Sequence, residues 1–135
     1  MLKFRWAIHN HQPVGNFDFI FDRATDQAYL PFLQVLKNHP TIQLSMHFSG
    51  ILLKWLIENR KDYITLLKKV IENGQLELLS GGFYEPILPT ISYEDQIRQM
   101  EKLQNYIKEH FGVTPQGAWI AERVWEPSLT RALSD

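Results

Sequence analysis

Glu122 and Arg123 close the apolar run Trp119-Ile120-Ala121 and lead into Val124-Trp125-Glu126-Pro127. A carboxylate that ends such a run sits where a strand hands its last side chains to a cleft. In that place it can serve as a nucleophile. The adjacent guanidinium favours the ionised form, which suits a nucleophile better than a general acid. Three other apolar runs end the same way. His9-Asn10-His11-Gln12 closes the first. Two histidines two residues apart on extended chain face one side, fit to hold a metal or to hydrogen-bond a polyhydroxylated substrate. Met46-His47-Phe48-Ser49-Gly50 closes the second, and Gly81-Gly82-Phe83-Tyr84-Glu85-Pro86 follows the third. Tyr84 offers an aromatic face to a sugar, and Glu85, standing before a proline, is biased toward extended backbone. Each cluster also has an ordinary reading. His9 is then a core histidine, His11 a surface one, His47 a structural residue and Glu85 a solvated turn carboxylate, while Glu122 and Arg123 form a surface ion pair of little energetic worth. Their coincidence at the ends of four runs is what carries a functional reading, because a purely structural protein has no reason to gather such groups on one rim.

The elements that must position these groups follow from periodicity and punctuation. Alternation predicts a strand over 2–9, and apolar runs predict strands over 42–48, 75–80 and 116–121. The stretch 10–25, with Pro13, Gly15, Asn16 and several Asp, reads as a loop that packs down through Phe17, Phe19, Ile20 and Phe21. Helices are predicted over 28–38, with Pro31 in the first turn or at a kink, over 51–59, and over 62–73 with Gly74 as the C-terminal cap. A further helix starts at a capping box of Ser92 and Asp95, runs to Phe111 and carries Ile97, Met100, Leu103 and Ile107 inward. Pro127 suits the first turn of a last helix, which would carry Glu126 away from Glu122. Strands alternating with helices predict an α/β fold with a parallel sheet and right-handed crossovers, here four βα units in a single domain. An open doubly wound sheet would show a glycine-rich phosphate loop after the first strand, and His9 to Gly15 is not one, so barrel parentage is favoured.

Composition narrows the partners. A net charge of -1 gives no electrostatic reason to bind nucleic acid or an anionic membrane, and no apolar run is long enough to span a bilayer. With no cysteine there is no disulfide, thiolate metal site or cysteine nucleophile. The first residues lack the apolar core and cleavage site of a secretion signal, so a cytoplasmic setting is expected. Charged runs such as 58–62 and Lys68-Lys69 read as solvated helix faces.

With these residues in place, the chain resembles the N-terminal part of glycoside hydrolase family 57. The matching motifs are His11-Gln12-Pro13, then Gly74-Gln75-Leu76-Glu77 through Gly82 to Tyr84-Glu85-Pro86, then Glu122-Arg123-Val124-Trp125. The resemblance implies the first portion of an incomplete (β/α)7 barrel and a retaining activity on α-1,4-glucans or maltooligosaccharides, of 4-α-glucanotransferase or α-amylase type, with no cofactor and no metal. It implies Glu122 as nucleophile, His9, His11 and Glu85 lining the donor subsite with Tyr84, and Trp119 beside the nucleophile. The family's general acid/base, an aspartate in a fourth motif, has no counterpart before Asp135, so these 135 residues alone are expected to hold the nucleophile half of a mechanism and to be inactive. The first and fourth strands would be open edges, which predicts self-association. Two other readings stand beside this one. One is a metal-dependent hydrolase or deacetylase using His9, His11 and His47. The other is a non-catalytic carbohydrate-binding remnant.

Overall fold

A computed structural model gives the fold of residues 4–134, so Leu2 and Lys3 of the first expected strand, and Asp135, lie outside the described residues. Three strands form one parallel sheet in the order β1 (Ala7–Asn10), β2 (Leu44–Phe48), β3 (Leu76–Leu79). Leu44, Met46, His47 and Phe48 of the central strand are all buried, the near-continuous burial of a parallel strand covered on both faces. The register sets His9 beside His47 and Met46 beside Leu78.

The helices are α1 (Asp18–Ala24), α2 (Leu30–Asn38), α3 (Gly50–Asn59), α4 (Lys61–Glu72), α5 (Tyr93–Phe111) and α6 (Leu129–Ser134). Leu33, Leu36, Leu52, Leu53, Leu56, Leu67 and Val70 pack with Met46 and Leu78 into the main core, which takes Leu103 and Ile107 from α5. A smaller cluster of Leu88, Met100, Leu129 and Ala132 lies between α5 and α6. Gly74 and Gly112 take left-handed backbone at the ends of α4 and α5, the conformation in which glycine has no Cβ penalty. At the start of α5 the Ser92 Oγ accepts from the Asp95 amide at 3.2 Å and donates to the Asp95 carboxylate at 2.9 Å, so the serine half of the expected capping box is formed and the carboxylate meets the serine hydroxyl.

Three expectations change. The stretch 10–25 is not loop throughout, because α1 begins at Asp18 and continues through a π-helical turn (Thr25–Tyr29) into α2. Of the residues expected to pack this stretch down, Phe21 is buried and stacks at 5.0 Å on Trp55 of α3, while Phe17 and Phe19 are exposed. Pro31 stands at the start of α2 just after that turn, where a missing amide is absorbed by a change in hydrogen-bond pitch. The fourth apolar run is present as one parallel bridge, Ser80 to Ala118, rather than a full strand. The Ser80 amide donates to the Gly117 carbonyl and the Trp119 amide to the Ser80 carbonyl, both at 2.8 Å, before the 3-10 turn at Ala121–Arg123 bends the chain away. Finally, α6 starts at Leu129, so Glu126 and Pro127 precede the helix and the Leu129 amide donates back to the Glu126 carbonyl.

Candidate active site

The C-terminal ends of the parallel strands carry a compact cluster built around one carboxylate. Glu85 Oε2 lies 3.0 Å from His11 Nδ1 and 3.4 Å from His9 Nε2, and Oε1 lies 3.2 Å from His47 Nδ1. His9 and His47 are register partners on β1 and β2, and their Nδ1 atoms are 2.9 Å apart. The indole of Trp119 stacks on His9 at 4.7 Å and 4°. Extended backbone turns His9 and His11 to one side, with their rings 5.8 Å apart. The loop beyond is pinned by Gln12, whose amide donates to the Tyr29 hydroxyl at 3.1 Å and whose carbonyl accepts from Asn16 at 2.8 Å.

Burial pushes the His47 imidazole from 6.5 down to about 4, opposed by the charge of Glu85 and reinforced by His9 and His11. His47 is therefore neutral at pH 7. Its proton belongs on Nδ1, because the other tautomer would set a lone pair against the Glu85 carboxylate. The His9 Nδ1 lone pair then faces that proton, and His9 carries its own on Nε2, toward Glu85. Burial raises the Glu85 carboxyl, but the hydrogen bond from His9 and the attraction of the His47, His9 and His11 imidazoles in their protonated forms outweigh it and hold it below its ordinary value. The result is an ionised carboxylate beside three imidazoles at the strand ends, with Glu85 largely buried and His11 partly exposed. Such a site presents both donors and acceptors to a hydroxyl-rich ligand.

Local sequence explains how the cluster closes. A Cβ at Gly81 would lie 2.7 Å from His47 Nε2 and 2.9 Å from the Trp119 carbonyl oxygen, so only glycine lets β3's continuation pass between them. The glycine therefore serves an approach to protein side chains. His47 Nε2 is buried there and has no hydrogen-bond partner among the described residues. Glu85 takes left-handed backbone (φ 55) although a residue before proline favours extended geometry, which corrects the expectation for this position. The Glu85 amide donates to the Gly82 carbonyl at 3.1 Å, and three histidines hold the side chain. Glu122 (φ 54) and Arg123 (φ 57) are left-handed as well. Strained backbone of this kind persists where the surroundings over-determine it, and it collects at functional sites.

Of the residues singled out from the sequence, the structure brings together His9, His11, Glu85 and Trp119. His47, read as structural in its own motif, joins them as a partner of Glu85. The signal for it was the register: a histidine near the C-terminal end of β2, beside His9 across a parallel pair. Tyr84 turns instead to α5, where Lys102 Nζ donates to its hydroxyl at 2.6 Å and lies 4.3 Å from its ring centre. Glu122 lies in the tight turn three residues past Trp119 and is exposed. Among the described residues, Glu122 and Arg123 form no ion pair with each other. The metal-ligating atoms that converge are those of His9, His11 and Glu85, all within 4.8 Å of one another, so Glu85 takes the place sequence reasoning gave to His47.

The model of glycosyl hydrolase family 57 matches residues 6–135. Over 134 residues the chain is 50% identical to "Alpha-amylase 1" of Dictyoglomus thermophilum, covering 99% of this chain and 20% of that protein. It is 43% identical to the 4-alpha-glucanotransferase of Thermococcus litoralis, again covering 99% of this chain and 20% of the relative. The crystal structure of that glucanotransferase superimposes with a TM-score of 0.91 at 44% identity, over 96% of this chain and 20% of the other. The chain thus spans about a fifth of the length of these relatives. No helix among the described residues is long and apolar enough to cross a membrane. With the family model matched along almost all of its length, the chain belongs to glycosyl hydrolase family 57.

Proposed function

We propose that these 135 residues are the N-terminal portion of the incomplete (β/α)7 catalytic barrel of a retaining α-1,4-glucan-active enzyme, a 4-α-glucanotransferase or α-amylase. The observation that carries the reading is the Glu85 carboxylate held by three histidines beside Trp119, at the strand ends where α/β barrels place their active sites. In this account His9, His11 and Glu85 orient the hydroxyls of the donor sugar and Trp119 walls the subsite, while Tyr84, held by Lys102 on α5, is left out of it. Glu122 attacks the anomeric carbon and forms a glycosyl-enzyme. An aspartate from sequence beyond this segment first protonates the leaving oxygen and then activates the acceptor, a division of labour that places the two carboxyl groups about 5–5.5 Å apart. Water as acceptor gives hydrolysis and a sugar hydroxyl gives transfer. The left-handed backbone at Glu122 supports its part, since a strained turn presents a single side chain in a fixed direction.

The experiment is Glu122→Gln in the protein that carries this segment together with its acid/base. Loss of a nucleophile is expected to lower kcat by at least about 1,000-fold while leaving maltooligosaccharide affinity within about threefold. Turnover that survives the substitution would overturn the assignment.

A further inference from the structure

The histidine–glutamate cluster has a property that sugar binding does not use. We propose that His9 Nε2, His11 Nδ1 and Glu85 Oε2 form an open three-ligand site for a zinc-class divalent cation. Two imidazoles and one carboxylate are a donor set that zinc accepts, with a fourth position left for water or an incoming ligand. Tetrahedral zinc with bonds of about 2.0–2.1 Å sets its ligand atoms about 3.3 Å apart. The two edges that run to Glu85 Oε2 measure 3.0 Å and 3.4 Å, and all three ligand atoms fall within 4.8 Å of one another. The side chain of Glu85 is 9% exposed, that of His9 27% and that of His11 39%, so the floor is fixed and one side is open to solvent.

Support behind the ligands is also present. His47 Nδ1 contacts both the free oxygen of Glu85 and Nδ1 of His9, the atoms turned away from the cation, and Trp119 stacks flat on the His9 ring. Such contacts fix ring orientation, as second partners do in built metal sites. They also limit affinity. A cation on His9 Nε2 moves the His9 proton to Nδ1, against His47 Nδ1. His47 must then carry its own proton on Nε2, the buried atom that has no partner among the described residues. The site should therefore bind zinc near the micromolar range, well short of dedicated structural zinc sites.

The test is isothermal titration of the chain with zinc chloride in a buffer that does not chelate, with cobalt(II) absorption as a second reading of tetrahedral ligation. The expected result is one zinc per chain and a cobalt spectrum with intense visible bands. His11→Ala and Glu85→Gln should each weaken binding at least about 30-fold while the far-ultraviolet dichroism stays unchanged. His11 lies at the exposed lip, so its removal leaves the fold intact. His39 and His110, the other histidines of the chain, serve as controls: their double alanine variant should bind as the wild type does. Equal binding by His11→Ala, loss of binding in the double control, or no binding at millimolar zinc would each overturn the site. The heat is read without sugar, so failure of this inference and failure of the glucan reading are separate results.

Discussion

His47→Asn should flatten the acid limb of this protein's stability curve. In the folded chain His47 is fully buried, and its imidazole sits at about 4 against 6.5 for a free one. The folded value is depressed, so between these two pH values the unfolded chain takes up a proton that the folded chain refuses. Stability is complete above 6.5 and falls as pH drops toward 4. At 1.36 kcal/mol per pH unit the whole gap is worth up to about 3 kcal/mol, of which about 2 kcal/mol is lost between pH 7 and pH 5. The groups facing His47 are Glu85, His9 and His11, and all three remain in the variant. Asparagine keeps a nitrogen donor near the position of Nδ1 and cannot titrate. It leaves a small cavity whose cost is the same at every pH and cancels in the comparison. Urea unfolding followed by tryptophan fluorescence at pH 7 and pH 5 measures the effect. The wild type should lose about 2 kcal/mol more than the variant on this step. Equal losses would refute the reasoning, since they would mean that His47 titrates alike in both states.

Two further substitutions test the packing around the site. Gly81→Ala drives a Cβ to 2.7 Å from His47 Nε2 and 2.9 Å from the Trp119 carbonyl, so it should destabilise by about 1–3 kcal/mol and change the tryptophan emission of the folded state; a thermal melt and an emission spectrum identical to wild type would contradict it. Arg60→Ala removes the guanidinium that pairs with Asp22 at 3.5 Å, Asp26 at 2.7 Å and Asp62 at 2.9 Å, and so unties α1 and its π-helical turn from the start of α4. The loss should be about 1–2 kcal/mol at low salt and smaller at high salt, because the three carboxylates are solvent-exposed; urea unfolding at two ionic strengths reads it.

Where local pattern and tertiary packing agreed, the sequence was a sufficient guide. The α5 stripe of Met100, Leu103 and Ile107 is buried, with its serine cap and terminal glycine in place, because each of those signals acts over a few residues. His9, His11 and Glu85 were legible because strand ends in an α/β fold converge on one rim. The α1 segment was not, because its helix is stabilised by Phe21 reaching Trp55, 34 positions along the chain, while its own composition reads as turn. Trp119 reaches the site through a single bridge, since the run around it has one pairing partner and then bends. The backbone at Glu85 contradicts the preference of a residue before proline because three histidines fix its side chain, a constraint no local window contains. His47 was undervalued for the same reason: its meaning comes from the strand beside it.

The central claim is that Glu122 is the nucleophile of a retaining mechanism whose donor subsite is built by His9, His11 and Glu85. A fluorinated α-glucosyl fluoride tests it most directly, because fluoride departs without a protonated acid and the added fluorine slows release of the covalent intermediate. Peptide mass mapping after incubation should find the glycosyl group on the peptide containing Glu122 and nowhere else, with no label in Glu122→Gln. Label on Glu85 or Glu126, or label that persists in Glu122→Gln, would contradict the account.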